Sequence, residues 1–182
     1  MARLESLLPP EGTPMPERHH LAPAPGELIP SHLPMCFGCG VDHPTGLHMK
    51  SIAGEGLTTS CEFQVTEMHQ GAPGLAHGGL LALAFDEALG KLMYLLQVPA
   101  VTGHLETDFL KPIPVGSTLY INAKILGQER RKVYTYAEGR LNSPDGVLAL
   151  KAAALFIVVG IDHFINNSAP GYINKEEFGI NP

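Results

Sequence analysis

Residues 74–96 read GLAHGGLLALAFDEALGKLMYLL, and what this stretch needs around it limits the fold more than any other feature of the chain. Apolar side chains stand at 80, 81, 83, 84, 85, 88, 89, 92, 93, 95 and 96. At the roughly 100° turned per helical residue they occupy nearly the whole circumference. A helix that is apolar all round must be covered all round. One antiparallel sheet covers one face, so a curled sheet or a second copy of the chain has to cover the rest. A membrane is excluded as the cover: Asp86, Glu87 and Lys91 interrupt the stretch, and no apolar run reaches the roughly 18 residues of a span.

The surrounding sequence supplies the sheet. After the helix come VTGHLETDFL (101–110), TLYINAKILGQ (118–128), VYTYAEGRL (133–141) and VLALKAAALFIVV (147–159). They are separated by turns at KPIPVGS, ERRK and NSPDG. In the second of these, Leu119, Ile121, Ala123 and Ile125 alternate with polar residues, as in a strand with one buried face. LTTSCEFQV (57–65) precedes the helix in the same style. The expected class is α+β: one long central helix wrapped by a curved antiparallel sheet.

At 182 residues the chain is about one domain, and 45% hydrophobic with 16% charged content is globular. Residues 1–34 hold eight of the sixteen prolines and are expected to form an extended arm lying over the domain or a neighbour. The domain proper runs from 35 to 160, and 161–182 form an exposed extension. A net charge of −6 excludes general nucleic-acid binding, which needs a basic field, but leaves room for a local anion patch. The N-terminus lacks the basic-then-apolar order of a signal peptide, and three cysteines fit a reducing setting, so a cytoplasmic location is expected.

The acids inside the helix carry the functional signal. Glu87 has Lys91 four residues on, a favourable pair with a plain structural explanation. Asp86 has no such neighbour, and an unpaired carboxylate in apolar surroundings costs several kcal/mol. Either the tertiary structure satisfies it or it faces a wet cleft that needs an acid. His77-Gly78-Gly79 opens the helix, where the first N–H groups lack intrahelical partners and the dipole favours a developing oxyanion.

Those residues, HQGAPGLAHGGLLALAFDEALG followed by VTGHLETDFLKPIPVG and preceded by CFGCGVDHPTGL, resemble the PaaI-like and THEM4-like acyl-CoA thioesterases of the hotdog-fold superfamily. The likeness covers roughly 36–160. It implies hydrolysis of acyl-CoA to free acid and coenzyme A, at a site shared across a homodimer interface, in a dimer or a dimer of dimers. It implies Asp86 as the catalytic carboxylate (general base or nucleophile), Gly78 N–H as oxyanion donor with His77 beside it, and Thr102 near the reacting centre. Some PaaI relatives carry Asn six residues before the histidine; here that position is Gly71, with Gln70 adjacent as a candidate substrate-binding amide beside Gly79. Arg130, Arg131 and Lys132 are the densest basic cluster and the candidate patch for coenzyme A phosphates. The alternative is a non-catalytic acyl-CoA or lipid-binding hotdog module. Hotdog dehydratases fit less well, because their acid–base pairing is not matched.

Cys36 and Cys39, with His43 and His48, raise the possibility of zinc. A structural site wants four ligands, and there is no second Cys-x-x-Cys or His-x-x-x-His. The reading taken is a packed, turn-forming lead-in to the domain, with no metal and no cofactor. Cys61 is expected in the core, His19 and His20 in solvent, and His69 and His104 in packing or hydrogen-bonding roles.

Overall fold

The computed structural model describes residues 7–172. One antiparallel sheet dominates it. Its strands are β1 (Leu28–Ile29), β2 (Lys50–Ala53), β3 (Thr58–Gln64), β6 (Ala100–Phe109), β7 (Thr118–Glu129), β8 (Lys132–Leu141) and β9 (Leu148–Val158). Their spatial order is β1-β2-β3-β7-β8-β9-β6. A small hairpin, β4 (Gln70–Ala72) with β5 (Leu75–Ala76), leads into the helix. The helical layer is α1 (Gly78–Gly90) and α2 (Met93–Leu96), and α3 (Ile161–Asn167) follows the last strand.

The alternation along β3 and β7 is realised. Thr59, Cys61 and Phe63, and Leu119, Ile121, Ala123 and Ile125, all turn inward against the helix. Phe63, Phe85, Leu89, Leu92, Leu119 and Leu150 are fully buried, each contributing about 1.5–3 kcal/mol of transfer free energy. The sheet curls because its ladder is broken by register shifts at Thr102/His104, Ile125/Gly127 and Gly139/Arg140. A glycine marks each one, and at all three the missing Cβ makes room: at Gly139 it would strike the ring of Phe85, at Gly103 the side chain of Ile157 and at Gly127 that of Thr13.

The helix is not one unbroken rod as the sequence predicts. Around Lys91 and Leu92 it tightens: Leu92 N–H bonds Leu89 O at 3.2 Å and Tyr94 N–H bonds Lys91 O at 3.2 Å, each three residues back. At that point Lys91 turns inward and donates to Pro30 O at 2.9 Å. Gln97, at φ 55, then ends α2 before Pro99.

The proline-rich arm lies on its own domain. Gln128 N–H bonds Pro14 O, His19 N–H bonds Leu95 O, and Arg18 reaches the carbonyls of Gly54, Gly56 and Pro23. Leu7 is buried against Ala153, with Tyr136 and Leu155, on the outer face of β8 and β9. This explains why LALKAAALFIV is apolar on both faces. No helix among the described residues is long and apolar enough to cross a membrane. Residues 173–182 of the C-terminal extension lie outside the described residues, whereas 168–172 are exposed.

Candidate active site

The covering of α1 is incomplete. Leu81, Ala84, Phe85, Ala88 and Leu89 are buried by the sheet, whereas Leu80, Leu83, Asp86 and Gly90 are only half-buried. They recur at three- and four-residue spacing and so share a stripe. Asp86 stands in the middle of that stripe.

Asp86 has one hydrogen-bond partner among the described residues: Thr102 Oγ1, on β6, donates to its Oδ1 at 2.8 Å. No arginine or lysine among those residues pairs with it. Burial pushes its carboxyl above the ordinary 3.8, and the Thr102 hydroxyl opposes the shift. The sixteen-residue spacing is thus a direct contact between helix and strand.

At the other end of α1, His77 is the N-cap, and its Nδ1 accepts the Gly79 N–H at 3.0 Å. Its backbone N–H bonds His69 O at 2.7 Å. The Leu80 and Leu81 amides both go to His77 O. That leaves the Gly78 N–H, at an exposed residue, with no acceptor among the described residues. Of the two glycine amides, Gly79's is committed to the cap and Gly78's is free. Phe109, at the far end of β6 and half-exposed, lies beside Gly78: an added Cβ there would meet its ring at 3.6 Å. Sequence reasoning passed over Phe109; an aromatic just before Pro-rich KPIP was the available signal.

The remaining candidates fall at varied distances. Gln70 is exposed, and its Oε1 accepts the Gly74 N–H at 2.8 Å, closing the β4–β5 hairpin. Gly71 has no room for a side chain: a Cβ would come within 2.6–2.8 Å of His77. Glycine therefore stands where some relatives carry Asn. Arg130, at φ 53, and Arg131 form the β7–β8 turn, and Arg131 Nε donates to Val158 O at 2.7 Å. Lys132 pairs with Ile157, which pairs with Val101 beside Thr102. Two inter-strand steps, about 10 Å, therefore separate the basic tip from the Thr102 end of β6.

His43 and His48 do not join the two cysteines. His43 packs its ring against Phe37, and His48 Nδ1 bonds Gly40 O at 2.8 Å. Glu87 does more than pair with Lys91: the two lie 3.4 Å apart, but the carboxylate also lies 3.7 Å from Cys36 Sγ. Three concavities of the chain lie over the outer sheet and the 44–48 loop, and Asp86 lines none of the three.

Comparison with known proteins agrees with this architecture. Residues 73–147 match the Thioesterase superfamily. The acyl-coenzyme A thioesterase THEM4 of Xenopus laevis is 36% identical over 97 residues, covering 53% of this chain and 43% of that protein. THEM5 of Mus musculus is 32% identical over 102 residues, covering 56% of this chain and 41% of its own length. The chain thus spans less than half the length of these relatives. Among solved structures, PaaI of E. coli superposes with a TM-score of 0.58 at 20% identity, over 63% of this chain and 81% of PaaI. A Streptococcus mutans protein solved with acetyl-CoA bound gives 0.57 at 20% identity, over 62% and 89% of the two chains.

A helix seated in a curled antiparallel sheet gives this domain the hotdog fold, and its centre is similar to the thioesterase superfamily. In sequence it is similar to THEM4 and THEM5, and in fold to PaaI.

Proposed function

We propose that the chain hydrolyses acyl-CoA thioesters at a site completed by two copies, with Gly78 of one and Asp86 of the other acting on the same carbonyl. The observation that carries this reading is the state of Asp86: half-buried, raised in pKa, and held by a neutral hydroxyl with no counter-ion among the described residues. A mere binding pocket gains nothing from such a group.

Helix geometry supports the second copy. Gly78 and Asp86 lie on one continuous helix, about 12 Å apart along its axis. An oxyanion donor and a base must both lie near 3 Å from reacting atoms, so one chain cannot apply both to one thioester. A two-fold axis that sets two helices side by side and antiparallel brings each Gly78 to the other's Asp86. β6 fits the same arrangement as a ten-residue sheet edge, long enough to pair with its symmetry mate. The half-buried Leu80 and Leu83 would be covered by the same contact.

In the reaction the Gly78 N–H, at the positive end of α1, stabilises the charge that builds on the thioester oxygen. Asp86 either takes a proton from a water attacking the carbonyl carbon or attacks that carbon itself, giving an anhydride that water then opens. In both routes the C–S bond breaks, the thiolate of coenzyme A leaves and is protonated, and the acid is released. The Thr102 hydroxyl holds Asp86 ionised and aimed. Arg130, Arg131 and Lys132 would meet the phosphates, with Phe109 and Gln70 flanking the approach to Gly78. His77 and Gly79 build the cap that leaves the Gly78 amide free.

The test is free-thiol release from a panel of aryl, short-, medium- and long-chain acyl-CoAs, with wild type and Asp86→Asn side by side. Turnover by wild type and its loss in the variant are expected. Tight binding without turnover across the panel would instead indicate a binding module.

A further inference from the structure

The side chains of His32, Cys36, Cys39 and Glu87 converge beside α1 at Glu87, about 100° round the helix from Asp86. Their potential ligand atoms all lie within 4.8 Å of one another. The geometry points to a structural zinc site at these four residues, pinning the loop of residues 31–49 to α1.

Four observations support it. The first is distance. With zinc about 2.3 Å from sulfur and about 2.0–2.1 Å from nitrogen or oxygen, the edges of a tetrahedron are about 3.3–3.8 Å. Cys39 Sγ lies 3.4 Å from His32 Nδ1, and Cys36 Sγ lies 3.7 Å from a Glu87 carboxylate oxygen. The second is donor type: thiolate, imidazole and carboxylate are all ligands that zinc takes, with the carboxylate here in the place of a second histidine of a Cys2His2 set.

The third is charge. Two thiolates and a carboxylate sum to three negative charges, which a divalent ion and Lys91 together cancel. Lys91 is 2% exposed and stands just outside the four, with Nζ 3.3 Å from Cys39 Sγ and 3.4 Å from Glu87 Oε1. It thus acts as the hydrogen-bonding outer shell that orients metal ligands, with Ser31 Oγ 3.4 Å from the same sulfur. Glu87 Oε1 is itself buried and, among the described residues, has that ion pair but no hydrogen bond.

The fourth is local architecture. The loop is shaped to close around this point: a Cβ at Gly38 would collide with the Glu87 carboxylate, and one at Gly40 with the backbone of Pro34 and Cys36. Gly40 N–H returns to Cys36 O at 2.8 Å, completing the turn between the cysteines. Leu47 and Met49 anchor the far end of the loop in the core, but around the cysteines apolar burial does little, since Met35, Phe37 and Val41 are 60%, 38% and 72% exposed. A metal clip supplies what that surface does not.

The proposal does not depend on hydrolysis, and its test reads metal. Full-length protein, purified in reducing buffer, is stripped with chelator, reloaded with zinc and assayed for bound metal. One equivalent per chain is expected, retained by Cys61→Ser and lost by Cys39→Ser. Because Cys39→Ser can fail by unfolding, the second arm uses wild type alone, loaded with Co2+. A thiolate-to-cobalt charge-transfer band with the intense visible bands of a tetrahedral ion is expected. Folded wild type that takes up neither ion, or a cobalt spectrum without thiolate ligation, overturns the site. So does Cys36–Cys39 recovered as a disulfide from anaerobically prepared protein.

Discussion

Asp86 and Glu87 are neighbours on one helix, yet the fold treats them as opposites. Glu87 points under the 31–49 loop, where Lys91, Cys36, Cys39 and His32 surround it with charge and metal-binding donors. Asp86, about 100° further round, meets one neutral hydroxyl and the side of the helix that the sheet leaves uncovered. A buried acid with strong partners holds structure together. One with a single weak partner is kept at a cost to stability, and that cost is the mark of a working group.

The sharpest way to break this contrast is substitution. Asp86→Asn keeps the hydrogen bond from Thr102 and should lower kcat by about 10³-fold or more. It should also raise Tm at neutral pH. The folded protein binds the Asp86 proton more readily than the unfolded chain does, so native stability falls as pH rises from the ordinary 3.8 through the raised folded pKa. Asn removes that slope, which thermal melts across pH will display. Burial also raises the Glu87 carboxyl, to about 7, but its ionised form is the ion-pair partner of buried Lys91, so Glu87→Gln should lower Tm by leaving that lysine unpaired. If both variants shift stability in the same direction, the contrast fails.

Next in size is the proposed oxyanion donor. Gly78 is the first residue of α1, the one helical position where proline is welcome, and His77 at φ −71, ψ 127 already has the extended shape that precedes a proline. Gly78→Pro therefore removes the N–H and leaves the helix, with an expected loss in kcat of about 100- to 1000-fold. Gly78→Ala, which keeps the N–H and meets Phe109 only at ordinary contact distance, should be far milder.

Thr102→Val should cost about tenfold or more in kcat, by analogy with the loss of one charge-assisted hydrogen bond. It should also move the acid limb of the pH–rate profile upward, because the one influence lowering the Asp86 pKa is gone. Thr102→Ser should restore both. Smallest is the basic tip: Arg130, Arg131 and Lys132 changed to Ala should raise KM by about tenfold at low salt and less at high salt, with kcat held.

Much of this was legible in the sequence, for a definite reason. The helix, the four strands after it and the pair His77 and Asp86 are local patterns, set by spacing within one element or between consecutive ones. Thr102 was legible only through family likeness, since nothing in VTGHLETDFL singles it out. What the sequence concealed depends on contacts across long separations. His32 and Glu87 are 55 positions apart and meet only because the arm turns back under α1. Lys91, where the helix tightens, donates to a carbonyl, Pro30 O, that belongs to that arm. The i,i+4 pairing of Glu87 with Lys91 is real, and its sufficiency as an explanation hid the cluster beyond it.

Subunit mixing tests the shared site most directly. Asp86→Asn and Gly78→Pro are each expected to be inactive alone. A mixed dimer, however, unites the intact Gly78 of the first with the intact Asp86 of the second in one of its two sites. Equal co-expression, with random pairing into symmetric dimers, should return about a quarter of wild-type turnover. Mixed dimers that form yet stay as inactive as their parents would show that each chain acts alone.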